Sequence, residues 1–83
     1  MELTPKERML VDRVIQHIKE FDPQAVVKIA DDTLEHEDIL LFVYTDKPTL
    51  ETIQHITPCT LDILVNDGLD ILALPEDKDR AEV

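Results

Sequence analysis

Residues 38–45 read DILLFVYT, and this stretch decides the fold. Positions 39–44 are apolar without interruption, so the segment lacks the alternation of a strand with one wet face. At six residues it is also far short of the roughly twenty needed to cross a bilayer. It reads as a buried strand, covered on both faces or on one face plus a subunit contact. Side chains alternate along a strand, so Leu40, Phe42 and Tyr44 share one side while Ile39, Leu41 and Val43 share the other. The flanking sequence has to supply cover for both.

Upstream, Thr4-Pro5-Lys6-Glu7 is a helix start: Thr4 caps, Pro5 takes the first helical position, and Glu7 completes a capping box. Leu10, Val11, Val14, Ile15, Ile18 and Phe21 follow at three-and-four spacing, and Asp22-Pro23 stops the helix. Residues 25–30 (AVVKIA) form a short strand with Val27 and Ile29 facing inward. The short polar link after it makes this strand antiparallel to DILLFVYT.

Downstream, residues 46–49 form a turn and Thr49 offers a cap. Leu50, Ile53, Ile56, Leu61, Leu64 and Val65 keep roughly helical spacing, but Pro58 interrupts them. An interior proline costs about 3 kcal/mol, and Thr57-Pro58 repeats the Thr4-Pro5 signal. Two short helices, 50–56 and 58–66, are therefore expected. Gly68, the only glycine, suits a left-handed C-cap. Residues 69–74 (LDILAL) make a third strand closed by Pro75, and 76–83 a charged, frayed tail.

The expected fold class is α/β: one domain over residues 1–75, a small two-layer sandwich of order α-β-β-α(α)-β with a three-stranded mixed sheet. Both helical segments lie on one sheet face. Burying one side chain of the other face is worth roughly 1.5–3 kcal/mol, so a homodimer through the open sheet face is expected.

The chain carries 19 Asp plus Glu against 8 Lys plus Arg, a net charge of -11. Residues 1–21 are neutral, with four acids and four bases, so all of the excess follows Phe21. This balance disfavours direct nucleic-acid binding and anionic membranes, and it suits a basic protein partner. MELTPKERML has no apolar leader and Cys59 stands alone, which together fit a cytoplasmic protein without a disulfide framework.

From Phe21 onward the element order and hydrophobic texture resemble the minimal nucleotidyltransferase domain family. AVVKIA stands for its first strand, EDILLFVYTD for its carboxylate-bearing strand, and LDILVNDGLDILALPED for the following helix and strand. The resemblance implies a strand with two carboxylates one residue apart that hold Mg under a nucleotide triphosphate. Asp38 takes the first of these positions, but the second is Leu40. The family's Gly-Ser loop is replaced by Asp31-Asp32-Thr33, which sets negative charge where phosphate would bind. The resemblance therefore implies a degenerate or truncated member; a metal there would be held by Asp38 with a carboxylate from elsewhere in the chain, for which Asp70 is a candidate.

The densest acid cluster is Asp31, Asp32, Glu35, Glu37 and Asp38 with His36 among them, and Asp31, Asp32, Glu35, His36 and Glu37 are the expected interaction face. It lacks the glycine and terminal glutamate of a calcium loop. His36 is the candidate for a pH-sensitive contact. Glu51, His55 and Cys59 have the four-residue spacing of a helical zinc site, but Pro58 is expected to break their register. Cys59, near the start of the second short helix, reads first as a small buried hydrophobe; the alternative is a reactive thiol whose pKa the helix N-terminus lowers. No catalytic residue is assigned. The expectation is a non-catalytic acidic interaction or regulatory module, with a nucleic-acid mimic as one variant.

Overall fold

A computed structural model describes residues 3–32 and 37–79. The apolar run is the middle strand. The elements are α1 (Pro5–Phe21), β1 (Val26–Ile29), β2 (Ile39–Thr45), α2 (Thr49–Asp67) and β3 (Ile71–Asp77), with sheet order β1-β2-β3. β1 runs antiparallel to β2, with Val26 opposite Tyr44 and Ile29 opposite Leu41. β3 runs parallel to β2, with Ile39 opposite Ile71 and Thr45 opposite Asp77. Parallel neighbours need a long crossover, and α2 is that crossover. The result is the mixed-sheet, two-layer α/β sandwich expected. Among the described residues no helix is long and apolar enough to cross a membrane.

α1 forms where its capping box puts it. The Thr4 N–H donates to Glu7 Oε1 at 2.9 Å, and the Glu7 N–H to Thr4 Oγ1 at 3.1 Å. Its stripe of Leu10, Val11, Val14 and Ile18 packs with Ile56 and Ile63 of α2, with Ile39, Leu41 and Val43 of β2, and with Ile71 of β3. α1 and α2 are antiparallel: Lys6 lies 3.6 Å from Asp67, Arg13 2.6 Å from Asp62, and His17 meets His55. On the sheet's other face Leu40 is only 2% exposed, so β2 is buried on both sides at this level.

Three local expectations change. Residues 49–67 form one helix rather than two, because Pro58 lies on its exposed side and removes a single backbone donor, the one to the carbonyl of exposed Gln54. The neighbouring carbonyls gain side-chain donors: Thr57 Oγ1 donates to Ile53 O at 2.7 Å, and a ring nitrogen of His17 meets His55 O at 2.8 Å. Thr57 therefore bonds backwards instead of capping. Thr49 is likewise the first helical residue, not the cap; Pro48 holds that place, and its carbonyl accepts from Thr52 Oγ1 at 2.8 Å. Gly68 caps the end as expected, left-handed with φ 69°.

The third change is at Pro75, which does not close β3; the strand continues through Asp77. The reason lies in the phase of the ladder. The Ile39 N–H donates to Asp70 O at 3.1 Å, whereas Leu40 O accepts from Ala30 on the β1 side. Odd-numbered β2 residues therefore bond β3, and on β3 the N–H groups of 72, 74 and 76 point inward. Position 75 points its nitrogen away from the sheet, where a missing N–H breaks no ladder bond.

The end of α1 is tied to the end of β2 through Asp22. Thr45 Oγ1 donates to Asp22 Oδ2 at 2.6 Å, the Gln24 N–H donates to Asp22 Oδ1 at 3.1 Å, and the Lys47 N–H donates to Thr45 Oγ1 at 3.1 Å. The Thr45 bond outweighs the opposing effect of burial and, with the Gln24 amide and the charges of Lys78 and Lys47, holds the Asp22 carboxyl below its ordinary value of 3.8. A depressed folded value means that this stabilisation is complete above pH 3.8 and is lost as pH falls through the folded pKa. Asp22→Ala should lower stability by about 1–3 kcal/mol at pH 7. Urea denaturation from pH 7 to pH 2 should also show a flatter acid limb for the variant; parallel acid limbs would assign the acid sensitivity elsewhere. Pro58→Ala should raise the melting temperature, by up to about 3 kcal/mol of stability, since it restores the donor to Gln54 O. A loss on thermal denaturation would mean that the proline ring makes contacts worth more than that bond.

Candidate functional site

Parallel pairing brings the entries of β2 and β3 together, and with them the two aspartates of the metal reading. The Asp38 and Ile39 N–H groups both donate to Asp70 O, at 2.9 and 3.1 Å, and the Asp70 N–H donates to Asp38 Oδ2 at 2.9 Å. The exposed Asp38 carboxylate thus closes the corner where the two strands start. Asp70 is half-buried beside it. One Asp38 oxygen is engaged with backbone, and among the described residues no three His, Cys, Asp or Glu side chains gather as a metal site. The adjacency depends on strand register, which sequence spacing does not reveal.

At the same end of the sheet, Asp31 and Asp32 are exposed just after β1. Glu37 departs from the expected interaction face: it is buried, 8% exposed, and cannot contribute to an outward contact surface. Its neighbour Asp38 faces solvent, as alternation at a strand entry requires. Glu35 and His36 lie outside the described residues. Of the five expected face residues, Asp31 and Asp32 are the two found exposed.

The histidines do different work. His17 and His55 stack with ring centroids 4.3 Å apart and planes 14° off parallel, and Phe21 stacks on His55 at 4.7 Å. Nε2 of His17 lies 2.8 Å from His55 O, and Nε2 of His55 lies 3.2 Å from His17 O. A carbonyl only accepts, so both Nε2 atoms carry hydrogen and each ring donates to the other residue's backbone. The stack therefore joins α1 to α2, which no single-helix spacing rule anticipates. It also takes His55 away from Glu51 and Cys59, although the helix they share is unbroken. Cys59 sits mid-helix rather than at an N-terminus, half-buried against the core. Burial pushes its thiol up, against a smaller lowering by Arg13. It behaves as the small hydrophobe of the two sequence readings.

Among the described residues, two surfaces are apolar and only partly covered. Among the described residues no element lies over the sheet face bearing Phe42, Tyr44, Leu72, Leu74 and Val26. Phe42 and Tyr44 are tilted rings 6.4 Å apart, and Lys28 Nζ lies 5.5 Å above the Tyr44 ring. The second surface is the outer side of α2, where Leu50 is 66% and Val65 75% exposed. Helical spacing in the sequence marked both residues, but did not reveal that they face away from the core.

If Asp38 acts as a backbone cap, Asp38→Ala should cost about 0.5–1.5 kcal/mol in urea denaturation. Asp38→Asn, which keeps an acceptor oxygen, should stay within a few tenths of wild type; equal losses would dismiss the cap. Comparisons of the chain with protein-family models, with curated proteins and with solved structures give no match.

Proposed function

We propose that this chain is a non-catalytic acidic interaction module whose uncovered sheet face binds a basic protein partner. The observation that carries the reading is that face itself: an aromatic pair among half-buried aliphatics, with Lys28 and Glu76 beside it, has the mixed character of a protein-binding patch. Carboxylates stand at both ends of the sheet, with Asp31 and Asp32 exposed at one and Asp46 and Asp77 at the other. Such a frame speeds the approach of a basic surface more than it adds to final affinity. A nucleic-acid mimic is one form of this reading. Self-association through the same face is the competing use of it.

The test is kinetic. With a partner captured from the source cell, the association rate should fall as salt rises, and Asp31→Lys with Asp32→Lys should slow it about tenfold. Tyr44→Ser should mainly speed dissociation. An association rate indifferent to both salt and charge reversal would reduce the acidity to a solvated surface.

A second reading, a degenerate nucleotidyltransferase-like protein, draws on the adjacency of Asp38 and Asp70. Titration with Mg and ATP decides between the two. The interaction module predicts no amide shifts near residues 30–40, whereas saturable shifts there would favour the nucleotide reading.

A further inference from the structure

The link between α2 and β3 holds the most labile bond of the backbone. It reads Asn66-Asp67-Gly68 and contains the chain's one asparagine and one glycine. An aspartyl carboxyl followed by glycine is open to attack by the next backbone nitrogen, because no Cβ screens that nitrogen. The space around Gly68 is empty too, with nothing within 4 Å of where a side chain would begin.

We propose that Asp67 is the position at which this chain forms isoaspartate, at a rate set by two anchors that flank it. The Gly68 nitrogen releases its proton and bonds to Cγ of the protonated Asp67 carboxyl, whose hydroxyl leaves. Proton and hydroxyl together make one water, and a five-membered succinimide remains. Water then reopens the ring at the main-chain carbonyl of Asp67, so the chain continues through Cγ. The mass is unchanged, but the backbone is one carbon longer.

The folded state holds the pair out of this reaction. Asp67 ends α2 in helical conformation, where side chains lean toward the helix start and away from the following nitrogen. The Gly68 N–H is engaged with Leu64 O at 3.0 Å. The Asp67 carboxylate lies 3.6 Å from Lys6 Nζ of α1. Beyond Leu69, Asp70 O accepts from the Asp38 and Ile39 N–H groups, and the Asp70 N–H donates to Asp38 Oδ2. Attack therefore requires the last turn of α2 to open locally. Lys6 holds that turn from one side and the Asp38 corner from the other. The added carbon falls between the helix cap and this corner, so it loosens the pairing that starts β3 against β2. None of this involves the sheet face, and it stands or falls separately from the partner-binding reading.

Protein aged at physiological pH and temperature should gain isoaspartate at 67 before any other aspartate. Peptide mass mapping reads it with a protease that cuts before aspartate and is blocked by isoaspartate. Lys6→Ala, an exposed change, should speed the reaction about threefold, and Asp38→Ala about fivefold. Asp67→Glu, which would have to close a larger ring, should abolish the product. Ile18→Val, at the far end of α1 and with a similar loss of stability, should leave the rate as in wild type. Earlier isoaspartate at another aspartate, or equal rates in wild type, Lys6→Ala and Asp38→Ala, would overturn the proposal. Equal acceleration by Ile18→Val would overturn it as well, because global unfolding would then set the rate.

Discussion

Everything in this molecule is arranged around a strand that is paired along both edges and buried on one whole face. β2 is hydrogen-bonded along both edges, to β1 through its even-numbered residues and to β3 through its odd-numbered ones. One of its faces is covered by both helices, and Leu40 is buried on the other. An antiparallel neighbour comes from a short link, but the parallel neighbour requires the chain to travel the length of the sheet before β3 can begin. α2 makes that return, and its path brings it antiparallel against α1. The helix pair and the histidine stack both follow from this requirement.

How much of this is legible in sequence depends on whether the signal is local. α1 is legible because a capping box and a stripe at 3.6-residue period need no information beyond seventeen residues. β2 is legible because six apolar residues in a row have nowhere to go but a core. The two interior prolines mislead for one reason: their cost depends on which way a backbone nitrogen points. Pro58 faces outward with donors to spare at Ile53 O and His55 O, and Pro75 turns its nitrogen off the sheet. α2 misleads in another way. Its apolar residues mark a helix, but the buried side includes Thr52, a polar residue hidden because Pro48 O satisfies it. Asp38 and Asp70 are thirty-two residues apart, and only the register of two parallel strands makes them neighbours.

The charge distribution gains meaning from the fold. Residues 1–21 are neutral by count, but the bases of α1 do not serve only that helix: Arg8 pairs with Asp12 at 3.2 Å, whereas Lys6 and Arg13 reach across to α2. Exposed pairs of this kind contribute little to stability. Their effect is on the distribution of charge, because the helix layer comes close to balance. α1 carries four bases against three acids and α2 three acids against none, so most of the net charge of -11 lies outside the two helices.

Pro75 on β3 has one more consequence. A sheet grows by adding strands at its rim, and rims are where soluble proteins run together into fibres. On one rim of this sheet the proline removes an outward donor from the middle of the strand that an incoming chain would need to match. The other rim, β1, is four residues long and carries Lys28. Neither border offers a continuous template. A protein so guarded at its borders is kept from growing strand by strand at either rim.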